Sequence, residues 1–199
     1  MTPAVFAGAT AWSIAMLQLA RLPLSPIERA RVFPWNASFC AILLATSLPF
    51  LCRTQPDAIG RAATLGMLVA TGMVDYETGY IFDAATLPAA AIALLAAVAA
   101  GTTTSAIQGL CLIGLPIAIL AAWSRGTWIA WGDIKAILSI VIAFSLPESL
   151  ATLMLASCTG IVHVCAVRSR SIPFGPHMAF GAAVAAVLGP IINPMFAEG

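Results

Sequence analysis

The sequence predicts an all-α membrane protein, a polytopic bundle of about eight transmembrane helices whose candidate active site lies at the cytoplasmic interface. Three observations predict it. The chain is 61% hydrophobic and 9% charged, where soluble domains are roughly half apolar and about a quarter charged; its mean hydropathy is +0.99. The apolar residues fall into runs separated by short polar punctuation. Two acids, Asp75 and Asp133, stand at the mouths of such runs, where an ionisable group is costly and by default a functional candidate. The length of 199 residues suits one domain. The net charge of +1 gives no pull toward nucleic acid, and the expected surroundings are a lipid bilayer.

Taken in order, the runs predict helices at about 4–20, 36–52, 59–75, 84–100, 105–123, 133–147, 149–167 and 177–195. The connections are short, which favours a compact bundle. Residues 1–58 hold the first two helices around a short basic loop, and residues 59–199 hold a six-helix core. Pro88, Pro116 and Pro147 are expected at helix ends or kinks. No Lys or Arg precedes the first apolar run, so no cleavable signal is expected. The five cysteines form no C-x-x-C pair, so neither a zinc site nor a redox motif is expected; they read as small packing residues.

Basic residues orient this topology. The loops on one side hold Arg21, Arg29, Arg31, Arg125, Lys135, Arg168 and Arg170; those on the other hold Arg53 and Arg61. The richer side is therefore expected to be cytoplasmic, with both termini outside the cytoplasm. Trp35, Trp123, Trp128 and Trp131 fall on the same side, as an interfacial aromatic belt would. In this arrangement the third helix runs inward and ends at Asp75, while the sixth starts from the inside at Asp133. Both acids are thus expected at one depth, facing each other and sharing a water.

Two neighbouring carboxylates do not both ionise cheaply and tend to share a proton. One then serves as general base on a water while the other donates a proton to a scissile carbonyl. This is peptide hydrolysis without metal, cofactor or covalent intermediate. Helix dipoles favour the charge on Asp133, at a helix N-terminus, and the proton on Asp75, at a C-terminal end. Simpler readings stand beside these: Asp133 as an N-cap, Asp75 as a solvated interfacial acid. Asp83 reads as the N-cap of the fourth helix, Glu77 as solvated loop, and Lys135 as snorkelling to headgroups. His163 and His177 have no ligand partner at metal spacing and read as packing or interfacial residues.

Three stretches together resemble one family: Asp75–Asp83, Gly132-Asp133-Ile134-Lys135, and Ile172-Pro173-Phe174-Gly175-Pro176 with the residues to Gly181. They are similar to the type IV prepilin leader peptidases, membrane aspartic proteases of the G-x-G-D class. In that family the first aspartate opens D-x5-[IL]-P-[ND], matched by Asp75, Ile81 and Asp83. The second closes G-x-G-D and is followed by a lysine, matched by Gly132, Asp133 and Lys135. The resemblance covers about residues 60–195 and implies that Asp75 and Asp133 are catalytic. It also implies the substrate: prepilins or pseudopilins whose short basic leader is cut after a glycine, at the cytoplasmic face of a bacterial inner membrane. The presenilin and signal-peptide-peptidase branch carries P-A-L near its end, where this chain has Ile172–Pro176.

Two departures are present. Ala130 replaces the first glycine of G-x-G-D, and Phe82 replaces the usual proline. Relatives that also methylate the new pilin terminus carry a C-x-x-C insert between the first two helices. Here that loop is Arg21–Trp35, without cysteine, so N-methyltransferase activity is not expected. Two other functions stand as alternatives: an ion-coupled transporter or channel subunit, and an inactive peptidase-like scaffold in pilus assembly.

Overall fold

The computed structural model describes residues 57–168 and 172–197, with the single positions Ala15, Gln18 and Leu24. The described residues form six helices and no strand: α1 (Ala58–Thr78), α2 (Asp83–Ala99), α3 (Thr103–Trp123), α4 (Trp131–Ala143), α5 (Leu146–Val167) and α6 (Gly175–Ala197). Three of them, α3, α5 and α6, are long and apolar enough to cross a membrane, and the chain reads on that ground as a membrane protein. Of the eight expected spans, 4–20 and 36–52 lie outside the described residues apart from Ala15 and Gln18, which are helical. Among the remaining six, α4 has 13 residues. That is about 20 Å at 1.5 Å per residue, shorter than a hydrocarbon core of roughly 30 Å.

Local chemistry sets the helix ends. Gly79 closes α1 in the left-handed region (φ 71°), and its N–H bonds the Asp75 carbonyl at 2.8 Å. Within α3 a π-turn, Leu110–Gly114, lies just before Pro116, whose ring withholds the N–H an unbroken α-helix would use. The expected helix 133–147 is too long. It stops at Ala143, Phe144 is extended, and α5 begins at Leu146. The reason is a capping box: the Ser145 hydroxyl accepts from the Glu148 N–H while the Glu148 carboxylate accepts from the Ser145 N–H at 3.0 Å. Pro147 in the first turn needs no intrahelical donor.

α6 packs on α5 and α1, α1 on α2, and α2 on α4, while α3 reaches α4 through its π-turn. The shared core contains Leu65, Leu68, Val74, Ile140, Phe144 and Met178. Small residues allow close helix contact: a Cβ on Gly60 would lie 3.1 Å from that of Ala96 and 3.2 Å from the Ala93 Cα.

One end of the bundle holds a buried ionic cluster that the sequence reading places elsewhere. Arg61, expected in an outer loop, lies in α1 and is 3% exposed. Its Nε donates to Asp57 Oδ1 at 2.7 Å, and Nη1 and Nη2 donate to the two Glu148 oxygens at 2.8 and 2.6 Å. The guanidinium also lies over the Phe144 ring, 5.0 Å from its centroid. Asn193 of α6 donates to Glu148 Oε1 at 3.3 Å. The basic tally behind the expected orientation thus counted as a loop residue an arginine that the structure buries in α1.

The described cysteines differ from expectation. Cys111 on α3 and Cys158 and Cys165 on α5 are free and exposed on the helix surfaces, not packed inside; Cys40 and Cys52 lie outside the described residues.

Candidate active site

The two aspartates sit at the other end of the bundle, and the chain around each is shaped for close approach. Asp75 is in the last turn of α1 and is 5% exposed. Its Oδ2 accepts the Gly175 N–H at 2.7 Å, and the Phe174 N–H bonds the same carboxylate. These donors are the start of α6, whose unpaired N–H groups favour a carboxylate. Position 175 is tight for anything beyond glycine: a Cβ there would lie 3.0 Å from Asp75 Oδ2 and 3.0 Å from the Gly72 Cα. The Ile172–Pro176 segment, singled out in the sequence only by resemblance, thus has a physical role as the seat of Asp75.

Asp133 is the third residue of α4 and is half-buried. It is not the N-cap; that position is Ala130. The preceding glycine also has a steric reason. A Cβ on Gly132 would lie 2.9 Å from both the Cβ and the carbonyl oxygen of Ile81, so α4 can sit against the loop after Asp75 only with glycine there.

Asp75 and Asp133 line one cavity of about 990 Å³, together with Tyr80, Arg125, Trp128, Trp131, Ile172 and Phe174. They are near enough for the charge on Asp75 to act on Asp133. All three stretches that carry the family resemblance meet at this cavity. The difference in helix dipole expected between the acids is not found, because Asp75 faces the N-terminus of α6 as Asp133 faces that of α4. Trp123, Trp128 and Trp131 are exposed at this end, and Trp35 lies outside the described residues.

Neither motif departure strains the backbone. Ala130 has φ −68°, ψ 146° and Phe82 has φ −94°, ψ 142°, extended conformations open to any L residue. Asp83 is the first residue of α2, not its N-cap, which is Phe82. Its carboxylate pairs with the Lys135 ammonium, so Lys135 bonds within the protein where the sequence suggested headgroups. Glu77 is exposed in the last turn of α1, not in a loop.

The histidines also find a partner that spacing could not reveal. His163 Nδ1 and His177 Nε2 are 3.0 Å apart, and His177 Nδ1 is 3.1 Å from Thr159 Oγ1. The Thr159 hydroxyl also lies 2.9 Å from the Leu155 carbonyl, so the two rings and Thr159 form one short polar chain. Among the described residues no group of three His, Cys, Asp or Glu side chains is placed to hold a metal ion.

Comparison with family models, with curated proteins and with solved structures returns no match to this chain.

The glycine seats give a contrast that separates site from scaffold. Gly175→Ala would place its Cβ 3.0 Å from Asp75 Oδ2 and 3.0 Å from the Gly72 Cα, so Asp75 or the start of α6 must give by a few tenths of an ångström. Gly79→Ala meets nothing within 4 Å and carries only the left-handed backbone penalty, about 1 kcal/mol. Thermal unfolding in detergent, measured on both variants, is expected to show the larger loss with Gly175→Ala, which crowds the seat of Asp75.

Proposed function

We propose that this protein is a membrane aspartic endopeptidase that removes the short basic leader from type IV prepilins or pseudopilins at the cytoplasmic face of a bacterial inner membrane. The observation that carries the reading is that Asp75 and Asp133 line one cavity with the Ile172–Phe174 segment, so every motif of the resemblance borders the same space. In this reading one aspartate takes a proton from water, and the water oxygen attacks the scissile carbonyl carbon. The other aspartate gives its proton to the carbonyl oxygen. Collapse of the tetrahedral intermediate breaks the C–N bond, and the amine leaves with a proton returned by the pair. Bonds from Gly175 and Phe174 fix the Asp75 carboxylate for this exchange.

The competing reading, an ion-coupled transporter, draws on the second ionic cluster around Arg61. A relay between the two clusters would need ionisable groups near the midplane. Between them α1 buries Leu65 and Leu68, and the Thr71 hydroxyl is bonded to the Met67 carbonyl of its own helix at 2.8 Å. This favours the peptidase over the relay. The ordinary backbone at Ala130 and Phe82 weighs against an inactive scaffold.

Co-expression with candidate prepilins of the same genome tests the reading, through loss of the leader. The mature pilin is expected to carry an unmethylated N-terminus in a host without other prepilin peptidases, and mass spectrometry of that terminus checks it. Reporter fusions after Arg31, Gly126 and Arg170 are expected to read cytoplasmic and a fusion after Gly101 external. An external signal at Gly126 would overturn the proposed orientation.

A further inference from the structure

We infer that Asp83 and Lys135 are a positioning pair that holds the two aspartates in register; the inference rests on the peptidase reading for its consequence but not for its geometry. Asp75 and Asp133 belong to different helices, which also pack on each other directly, and the loop from Gly79 to Phe82 bridges them at the cavity. That loop is held at three points. Gly79 bonds back to the Asp75 carbonyl at 2.8 Å. Ile81 packs on the bare Cα of Gly132, the residue before Asp133. Asp83, at the loop's far end, pairs with Lys135, two residues beyond Asp133. The ion pair and the Ile81–Gly132 contact flank Asp133 on both sides and fix the start of α4 against the segment that follows Asp75.

The pair's exposure defines its role. Lys135 is 33% and Asp83 55% exposed, and pairs this open contribute little to folding. A pair that matters little for stability and spans the two motif segments acts through geometry. Neither side chain lines the cavity, so both are positioning residues rather than catalytic ones. The bond depends on opposite charge and not on which helix carries which sign, so exchanging the two charges preserves it.

The test has one readout that does not depend on activity. In a background with the five native cysteines replaced, Asp75→Cys and Asp133→Cys are introduced together. The rate of cross-linking by a short bifunctional maleimide is then measured with Asp83 and Lys135 intact, with Asp83→Asn, with Lys135→Met, and with the exchange Asp83→Lys plus Lys135→Asp. Cross-linking is expected to slow in each single variant and to recover in the exchanged one. In parallel, with both aspartates retained, prepilin cleavage is expected to fall about tenfold in kcat at unchanged KM in the singles, as sub-ångström misplacement does, and to recover in the exchange. Cross-linking and kcat both unmoved in the singles, or unrecovered in the exchange, would overturn the inference. Cross-linking that follows the expected pattern in a protein that cleaves no prepilin would leave the pair's role standing and refute the peptidase reading instead.

Discussion

Asp75→Asn and Asp133→Asn are each expected to reduce leader cleavage by roughly 10²–10⁴-fold, the range for loss of a positioned general acid or base, while the protein remains in the membrane. Asparagine keeps the shape of the side chain but can neither take up nor give the shared proton. At Asp75 the carbonyl of an asparagine can still accept the Gly175 N–H that Oδ2 accepts, so the turn entering α6 stays seated. At Asp133 it keeps a polar side chain of the same shape in the first turn of α4. The loss is therefore chemical and not structural, and thermal unfolding in detergent is expected to stay close to that of the parent. The double variant is expected to be no worse than either single, because residues that act as one unit are not additive. Cleavage assays on purified single and double variants check this.

Breaking the buried ionic cluster is expected to have the largest effect on stability. Arg61→Met leaves Glu148, which has no exposed surface, without its bidentate partner. Removing one member of a buried pair costs about 3–5 kcal/mol, or roughly 10 °C in a domain of this size. Glu148→Gln keeps the capping position but strands the guanidinium with Asp57 alone and is expected to cost nearly as much. Replacing both, as Arg61→Met with Glu148→Leu, is expected to restore only part of the loss, since it removes the unpaired charge at Glu148 but leaves the buried Asp57 without its guanidinium. The cluster joins α1, α5, α6 and the end of α4 at the face opposite the aspartates, so a loss here is one of assembly. Thermal unfolding of the three variants in one detergent checks it.

The helices themselves were largely legible in the sequence, because apolar runs and their punctuation report burial directly. Five of the six described helices start or end within a few residues of expectation. The sixth, α4, was drawn past its end because the run Ile134–Pro147 is broken only by Lys135, Ser139 and Ser145, although Ser145 opens the capping signature that Glu148 completes. Both aspartates stood out because charge is costly in such a chain, and helix parity put them at one end, where they line one cavity. Partners that depend on distant packing were not. Glu148 lies 87 residues from Arg61, and Gly175 lies 100 residues from Asp75. Lys135 lies 52 residues from Asp83. No local pattern announces such a bond, so Arg61 read as a loop cation, Lys135 as a headgroup contact and Asp83 as a cap. The role of the Ile172–Pro176 segment was hidden for the same reason: its contribution to Asp75 is made by backbone N–H groups, which a side-chain motif does not display.

The central claim is that Asp75 and Asp133 together cut a prepilin leader. Its most direct test is mass spectrometry of a prepilin from the same genome after incubation with the purified protein and with each asparagine variant. The parent is expected to give two products, a short basic leader ending in glycine and the mature pilin, and both variants to leave the prepilin intact. Cleavage at the parental rate by either variant, or no cleavage of any prepilin of that genome by the parent, would contradict it.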